Sequence, residues 1–456
     1  MPAPNSDLDR LAERLSSRHG RVERKRPLLI AGLAAAVLGA IGAVGFVSAR
    51  VELSVPAALG GKSKNSSASI GQATQSPDLL TAQIDGQTPE GQLIQTYQLL
   101  AKGEDGRAFA LVEQLVRRQP DFALAQMVYG TLLLARSGQG EAVERHLAAA
   151  GGAKNPDPAA LLRTEARLRL AALVERPPQD ALPEQMFGLS PSVRHAIMVD
   201  TSRARLYLFE NSANGVRLLR DSYISIGKLG TGKLVEGDQR TPLGTYYVGL
   251  RRDEAAARYG AAALPLNYPN EIDRLAGRGG TSIWLHGERA GNYARSPQST
   301  DGCIVLSNDE MRLLAETVTP RETPVLVMDK IRWVKKSSVS SPPALDAGFE
   351  SAFEQWQQAR LRQDAATLRQ LYEPGLQRGS DSSSDKLETN LARMARQELP
   401  VQSLERLSVL PGQQAEPVLI VTYRELSAQD ERARLKRQYW REQNGQWKIF
   451  FDGVIG

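Results

Sequence analysis

Four stretches between residues 89 and 185 carry apolar side chains at helical spacing: LIQTYQLL, AFALVEQLV, ALAQMVYGTLLLA and ALLRTEARLRLAALV. A recurrence every three to four positions lines one face of a helix, so this region is expected to be all-α. From His195 the period shortens. HAIMVD, RLYLFE, DSYISIG, GTYYVGL, SIWLHG and PVLVMD are short runs rich in β-branched and aromatic residues, broken by Gly, Pro, Asn and Asp. They predict a mostly β domain over residues 194–330. Within it, Ser307-Asn308-Asp309-Glu310 has capping-box spacing and opens a helix over EMRLLAETV, with Pro320 beyond its end. Residues 331–348, including VKKSSVSSPPALDAG, have linker composition. In 349–456, Phe349, Phe353 and Trp356 share one helical face, and QYWREQNGQWKIFF reads as a hairpin with a type I′ turn at Asn444-Gly445. Helices followed by antiparallel strands predict an α+β unit.

One further run belongs to neither pattern. Residues 27–49, PLLIAGLAAAVLGAIGAVGFVSA, carry no charge. As a helix they would be roughly 34 Å long, enough to cross a bilayer core. Ahead of them, residues 1–26 hold seven basic against four acidic side chains, with the positives crowding the apolar edge. The positive-inside rule then leaves a basic tail in the cytoplasm and sends residues 50–456 across the inner membrane into the periplasm, on a single-pass anchor. A cleaved signal peptide, cut after Val47-Ser48-Ala49, is the competing reading; the 26-residue leader and the length of the run favour the anchor. Residues 50–88, rich in Ser, Gly, Ala and Gln, make a flexible linker with an r.m.s. span of roughly 35 Å.

Composition adds two constraints. The chain has 57 basic and 51 acidic residues in 456, but no basic run interleaved with aromatics, so nucleic acid is not an expected partner. It has a single cysteine, Cys303. Outside the cytoplasm a lone thiol has no partner in its own chain; it is either a small buried hydrophobe or kept because a thiolate is needed. Of the four histidines, His19 lies in the tail, His146 on an expected helix, and His195 opens a strand. His286 ends the strand SIWL, is followed by Gly287, and precedes Cys303 by 17 positions. A thiol must lose its proton to attack a carbonyl, and a histidine held against it can take that proton and return it to a leaving amine. Gly302 allows a tight turn that brings backbone N–H groups near a developing oxyanion.

His286-Gly287 followed by Thr300-Asp301-Gly302-Cys303-Ile304 resembles the signature of the YkuD L,D-transpeptidase family. LVEGDQRTPLGTYYV resembles that family's Gly-Asp and Thr-Pro-x-Gly-x-Tyr stretch, here Gly237, Asp238, Thr241, Pro242, Gly244 and Tyr246. The resemblance implies a β-sandwich-like catalytic domain without metal or cofactor. It also implies that Cys303 attacks the carbonyl of the third residue of a peptidoglycan stem tetrapeptide and forms a thioester. His286 would be base and acid, a carbonyl near Gly287 would orient its ring, the N–H groups of Gly302 and Cys303 would form the oxyanion hole, and Gly287, Thr300 and Asp301 would support them. A second stem's amine would resolve the thioester into a 3→3 cross-link. Two departures, Val305 where many members have Arg and Asp301 where many have His, bring the chain closer to the YafK-like branch, linked to hydrolysis of peptidoglycan–lipoprotein bonds. Arg289 and Arg295 are then candidate cations for a substrate carboxylate. A non-catalytic wall-binding scaffold is the reading from another class.

The flanking regions carry looser resemblances. Ala108 and Ala142 lie 34 apart, with Gly130 and Pro120 placed as in tetratricopeptide repeats; an unrelated helical array fits as well. Residues 349–456 resemble NTF2-like domains. Both are expected to dock protein partners or to assemble. One decoy is set aside: Gly227-x4-Gly232-Lys233 spells most of a P-loop, but Leu234 stands where a hydroxyl is required and turn residues follow instead of a helix. One cysteine and four scattered histidines offer no zinc spacing.

Overall fold

In the computed structural model, the described residues are 86–137, 158–336 and 347–455. Excepted within them are 175, 179, 187, 254–255, 374–387, 390, 394–395, 397–399, 413–416 and 428–431. The apolar run 27–49, the tail, nearly all of the first linker, Ala142 and His146 lie outside them. Among the described residues no helix is long and apolar enough to cross a membrane. The chain divides into two compact units, residues 1–175 and 176–456.

The first unit is helical: α1 (Pro89–Ala101), α2 (Asp105–Arg118), α3 (Ala123–Ser137) and α4 (Pro158–Val174). Thr88 caps α1, its side chain accepting from the Gly91 N–H, and Pro89 takes the first turn, where a missing N–H costs nothing. Leu93, Ile94 and Tyr97 of α1, Ala108, Val112 and Leu115 of α2, and Leu124 and Ala125 of α3 are buried. Arg169 of α4 is buried too, and is held by Glu165 at 2.8 Å and by Glu90 of α1 at 2.9 Å. The helical region ends earlier than the apolar pattern suggests. α4 stops at Val174, and Ala181–Pro183 form a strand.

The second unit opens with that strand, β1. It continues with β2 (His195–Asp200), β3 (Arg205–Ser212), β4 (Gly215–Tyr223), β5 (Ile226–Gly227) and β6 (Gly244–Tyr247). Next come α5 (Ala256–Tyr259), β7 (Ala263–Pro265), α6 (Glu271–Leu275), β8 (Trp284–His286), β9 (Gln298–Thr300) and β10 (Ile304–Val305). α7 (Asn308–Thr317), β11 (Pro324–Met328) and β12 (Trp333–Lys335) complete the mostly β part. Its main sheet has the order β4-β3-β2-β11-β6, with β11 parallel to β2 and antiparallel to β6. Ile197, Met198 and Val199 in β2 and Val325, Leu326 and Val327 in β11 are buried whichever way they point, because both faces of these central strands are covered. A smaller sheet, β10-β8-β7, and the parallel pair β5-β9 carry the chemistry-bearing segments.

The C-terminal part has α8 (Ala347–Arg362), α9 (Ala365–Leu371) and an antiparallel meander of β13 (Val401–Pro411), β14 (Val418–Ser427), β15 (Arg434–Gln443) and β16 (Gln446–Val454). Phe349, Phe353 and Trp356 form the buried face of α8. Asn444 and Gly445 both have positive φ, 52° and 74°, as a type I′ turn requires.

Two sequence expectations change here. Ser307 makes no side-chain capping bond, and Glu310 accepts instead from the Ser222 hydroxyl at 2.7 Å, so the capping box does not form. The start of the 331–348 linker is also structural: β12 pairs antiparallel with β1. Beyond that strand, the two parts of this unit share one core. Met198, Tyr207, Phe209, Tyr247 and Leu326 of the main sheet cluster with Leu410, Ile420, Tyr439 and Phe450 of the meander. At their seam the Thr422 hydroxyl donates to Tyr247 Oη at 3.0 Å, and Tyr247 Oη lies 3.2 Å from Ser408 Oγ. The buried Arg437 guanidinium stacks 3.3 Å from the centre of the Tyr247 ring. That contact offsets part of the cost of desolvating the cation.

A shared core makes the mostly β and C-terminal parts unfold together. Far-UV circular dichroism and tryptophan fluorescence should report one coincident denaturant transition for this unit. Tyr247→Ala should lower its stability by about 3–5 kcal/mol, the usual cost of emptying a buried aromatic site. Separate transitions, only one of them moved by this substitution, would contradict it.

Candidate active site

Cys303 sits at the entrance of β10 and is half-buried. The turn before it needs glycine. Gly302 has φ +124°, and a Cβ there would lie 2.7 Å from the Arg240 carbonyl oxygen. Two threonines hold that turn. Thr300 Oγ1 accepts from the Gly302 N–H at 3.1 Å and donates to the Cys303 carbonyl at 2.7 Å. The buried Thr241, from the Thr-Pro stretch, accepts from the Gly227 N–H at 3.0 Å and donates to the Gly302 carbonyl at 2.9 Å. Asp238, three residues earlier, shapes the preceding loop. Partial burial works against its charge, but Lys233 Nζ at 2.9 Å and the N–H groups of Leu234, Val235 and Arg240 bring its pKa down to about 2.

His286 closes β8. Strands β8 and β10 run parallel, with Ile304 opposite Leu285 and Val305 opposite His286. One step back, Cys303 falls level with Trp284. Alternation then puts the Cys303 and His286 side chains on the same face of neighbouring strands, one diagonal step apart. The His286 ring is buried, with Nδ1 2.7 Å from the Gly287 carbonyl oxygen. A carbonyl only accepts, so Nδ1 carries the proton and Nε2 is the basic nitrogen. Tyr259 covers the ring edge-on, at 4.7 Å between centroids. Burial lowers the His286 pKa to about 4, with Arg295 and Arg258 adding to the effect against the bond to Gly287. Burial likewise raises the Cys303 thiol, opposed by the Trp284 N–H, Arg295 and Lys233. Its Sγ is 3.4 Å from the Ser282 carbonyl oxygen, and Ser282 has φ +60°. At neutral pH the pair therefore rests as thiol and neutral imidazole.

The Gly302 N–H, expected to face an oxyanion, is instead taken by Thr300 Oγ1, and the Gly287 N–H is bound to the Ala262 carbonyl at 3.2 Å. Asp301 is exposed and turned to Lys228, 2.9 Å away, and to Gln239. Arg289 is exposed. Arg295 is held by the fully buried Glu288 at 2.7 Å, an ion pair within the site wall. Four contributors escaped the sequence reading. Tyr259 gave no signal beyond being aromatic, and Ser282 none at all. Lys233 was visible only inside the rejected P-loop pattern, where its Asp238 partner five residues on was the available clue. Asn308 was visible only as part of the capping box. Among the described residues no group of three or more His, Cys, Asp or Glu is placed to hold a metal ion.

Residues 194–327 match the family model of YkuD, the L,D-transpeptidase catalytic domain. That mostly β domain is accordingly a YkuD-type catalytic domain, with helices elsewhere in the chain. Over 60% of this chain and 98% of the other, the chain is similar to Bd1075 of Bdellovibrio bacteriovorus, at 23% identity and a TM-score of 0.46. It is also similar to Pgp2, a helical cell shape determining protein from Campylobacter jejuni, at 20% identity over 60% of this chain and 95% of that one, with a TM-score of 0.44. An L,D-transpeptidase from Mycobacterium smegmatis matches at 14% identity over 30% of this chain and 58% of that one, with a TM-score of 0.20. No curated protein matches this chain.

The depressed His286 pKa has a consequence for stability. The unfolded chain binds this proton near the ordinary 6.5 and the folded chain near 4, so the stabilisation from neutral His286 is complete above pH 6.5 and is lost as pH falls toward 4. Denaturant melts at pH 7 and pH 4.5 should show wild type losing on the order of 2–3 kcal/mol more than His286→Gln. Equal losses in both proteins would contradict a buried, neutral imidazole.

Proposed function

We propose that this chain is a periplasmic, cysteine-dependent acyltransferase of the L,D-transpeptidase type acting on peptidoglycan stem peptides, anchored in the inner membrane by residues 27–49. The placement of Cys303 and His286 on one face of paired strands, with the imidazole tautomer set by the Gly287 carbonyl, carries this reading. Cys303 Sγ attacks the carbonyl carbon of the third stem residue while His286 Nε2 takes the thiol proton. The tetrahedral oxyanion is met by the Cys303 N–H. As the C–N bond breaks, the imidazolium returns that proton to the departing D-alanine amine, leaving a thioester. The side-chain amine of a second stem then attacks the thioester, loses its proton to His286, and frees the thiol in forming a 3→3 link or a protein–peptidoglycan link.

One observation favours a second outcome for the same thioester. Val305 is buried in β10 where many family members have arginine, and Arg295 is engaged by Glu288. Position 305 thus lacks the cation that the transpeptidase pattern expects. Water would then resolve the thioester, giving an L,D-carboxypeptidase or an amidase for lipoprotein–peptidoglycan bonds, as in the YafK-like branch. The first unit, read as tetratricopeptide-like, and the C-terminal part, read as NTF2-like, would serve as docking or assembly surfaces for protein partners.

Incubation with a carbapenem should add one drug mass to Cys303 by mass spectrometry, and Cys303→Ala should stay unmodified. His286→Ala should slow acylation by about 10²–10⁴-fold, the range general acid–base groups contribute. With defined muropeptides, 3→3 dimers mark transfer, tripeptides alone a carboxypeptidase, and released protein-linked peptides an amidase. A folded wild-type protein that takes no adduct and leaves every substrate intact would reduce the domain to a wall-binding scaffold.

A further inference from the structure

The amide of Asn308 is committed to the backbone beside the imidazole. Its Oδ1 accepts from the N–H groups of Ala261 at 2.8 Å and Glu288 at 3.1 Å, and its Nδ2 donates to the Glu288 carbonyl at 2.8 Å. Two N–H donors on one side and a carbonyl on the other admit only this orientation of the amide. Room for it is cleared by two glycines. A Cβ at Gly287 would lie 2.3 Å from Asn308 Oδ1, and one at Gly260 would lie 2.3 Å from the same atom and 2.2 Å from the Glu288 carbonyl oxygen. The two segments joined this way enclose His286. One carries Tyr259, whose ring covers the imidazole; the other carries the Gly287 carbonyl that receives the Nδ1 proton. The first helical turn of α7, which reads in sequence as capping chemistry, is turned instead on the histidine loop.

We propose that Asn308 is a positioning residue for His286. Its amide fixes the Glu288 backbone on both sides, thereby aims the Gly287 carbonyl at Nδ1, and so keeps Nε2 as the free base facing Cys303. This rests on the reading of His286 as the general base. Without the amide, the Gly287 peptide can rotate away from the ring, and the imidazole can exchange tautomers or swing off its line to the sulfur. A displacement of about 1 Å at a catalytic group costs on the order of 10²-fold in rate.

The test uses the full chain, labelled with ¹⁵N-histidine, and the isosteric Asn308→Asp and smaller Asn308→Ala variants. In wild type the His286 ring, assigned by its loss in His286→Gln, should show a protonated Nδ1 and an unprotonated Nε2 at pH 7. Both variants should shift toward a mixture of tautomers, and kcat on a muropeptide substrate should fall about 10- to 100-fold with KM little changed. Asn308→Asp retains volume and the Oδ1 acceptor but sets an oxygen against the Glu288 carbonyl, so it reads out the site even if Asn308→Ala fails to fold. Folded variants with wild-type kcat and unmoved ring shifts would overturn the proposal, as would an Nε2–H tautomer in the wild type. Activity surviving in Cys303→Ala or His286→Gln would instead overturn the catalytic reading beneath it.

Discussion

A parallel pairing only two residues long, Ile304 with Leu285 and Val305 with His286, is the constraint on which the site depends. Parallel strands require a crossover between them, and here residues 287–303 supply it, returning the chain so that the sulfur and the imidazole leave the same face. A slip of one residue would send one of the two side chains to the opposite face. So short a ladder holds its register through what brackets it. The Leu306 N–H donates to the His286 carbonyl, and the Ser225 and Val305 backbones exchange both hydrogen bonds. Thr241 and Thr300 hold the Gly302 turn from its two sides.

Electrostatics follows from that packing. Little water reaches the His286 ring, so the neutral imidazole is favoured, and the same burial favours the protonated thiol over the thiolate. A pair resting in this way avoids the cost of separating charge in a low-dielectric pocket. The cations nearby are mostly engaged by the protein: Lys233 by Asp238, Arg295 by Glu288, Lys228 by Asp301. Their fields still reach the sulfur, Arg295 and Lys233 favouring the thiolate and Asp301 opposing it, but burial outweighs them.

The C-terminal meander completes this scaffold. Tyr247 belongs to β6, immediately downstream of the Thr-Pro-x-Gly-x-Tyr stretch, and its ring and hydroxyl are fixed by Arg437, Thr422 and Ser408. Thr245 of the same strand donates to the Pro411 carbonyl. Ile272 of α6 packs into the same core, while Asp273 beside it accepts from Tyr246 and Arg278. The stretch that shapes the Cys303 turn is thus braced from behind by the last quarter of the chain.

Local chemistry alone determined a good deal. Short β-branched and aromatic runs marked β2, β3, β6, β8 and β11. Asn444-Gly445 marked its turn, and the spacing of His286-Gly287 and Gly302-Cys303 singled out the two side chains worth testing. Each of these is a property of neighbours in the chain, where steric limits and alternation act directly. The tertiary structure decided the rest: that Asn308 serves the histidine loop and not its own helix end, that Lys233 belongs to Asp238, and that Arg295 is bound by Glu288. It also decided that the start of the linker-like stretch pairs with β1, and that two apparent domains share one core. Burial periodicity shows which side chains turn inward but not which surface they meet. Bonds from Asn308 across 20 and 47 residues, and ion pairs inside irregular loops such as Lys233–Asp238 and Glu288–Arg295, follow no period in the sequence, so these partners became evident only when the chain had folded.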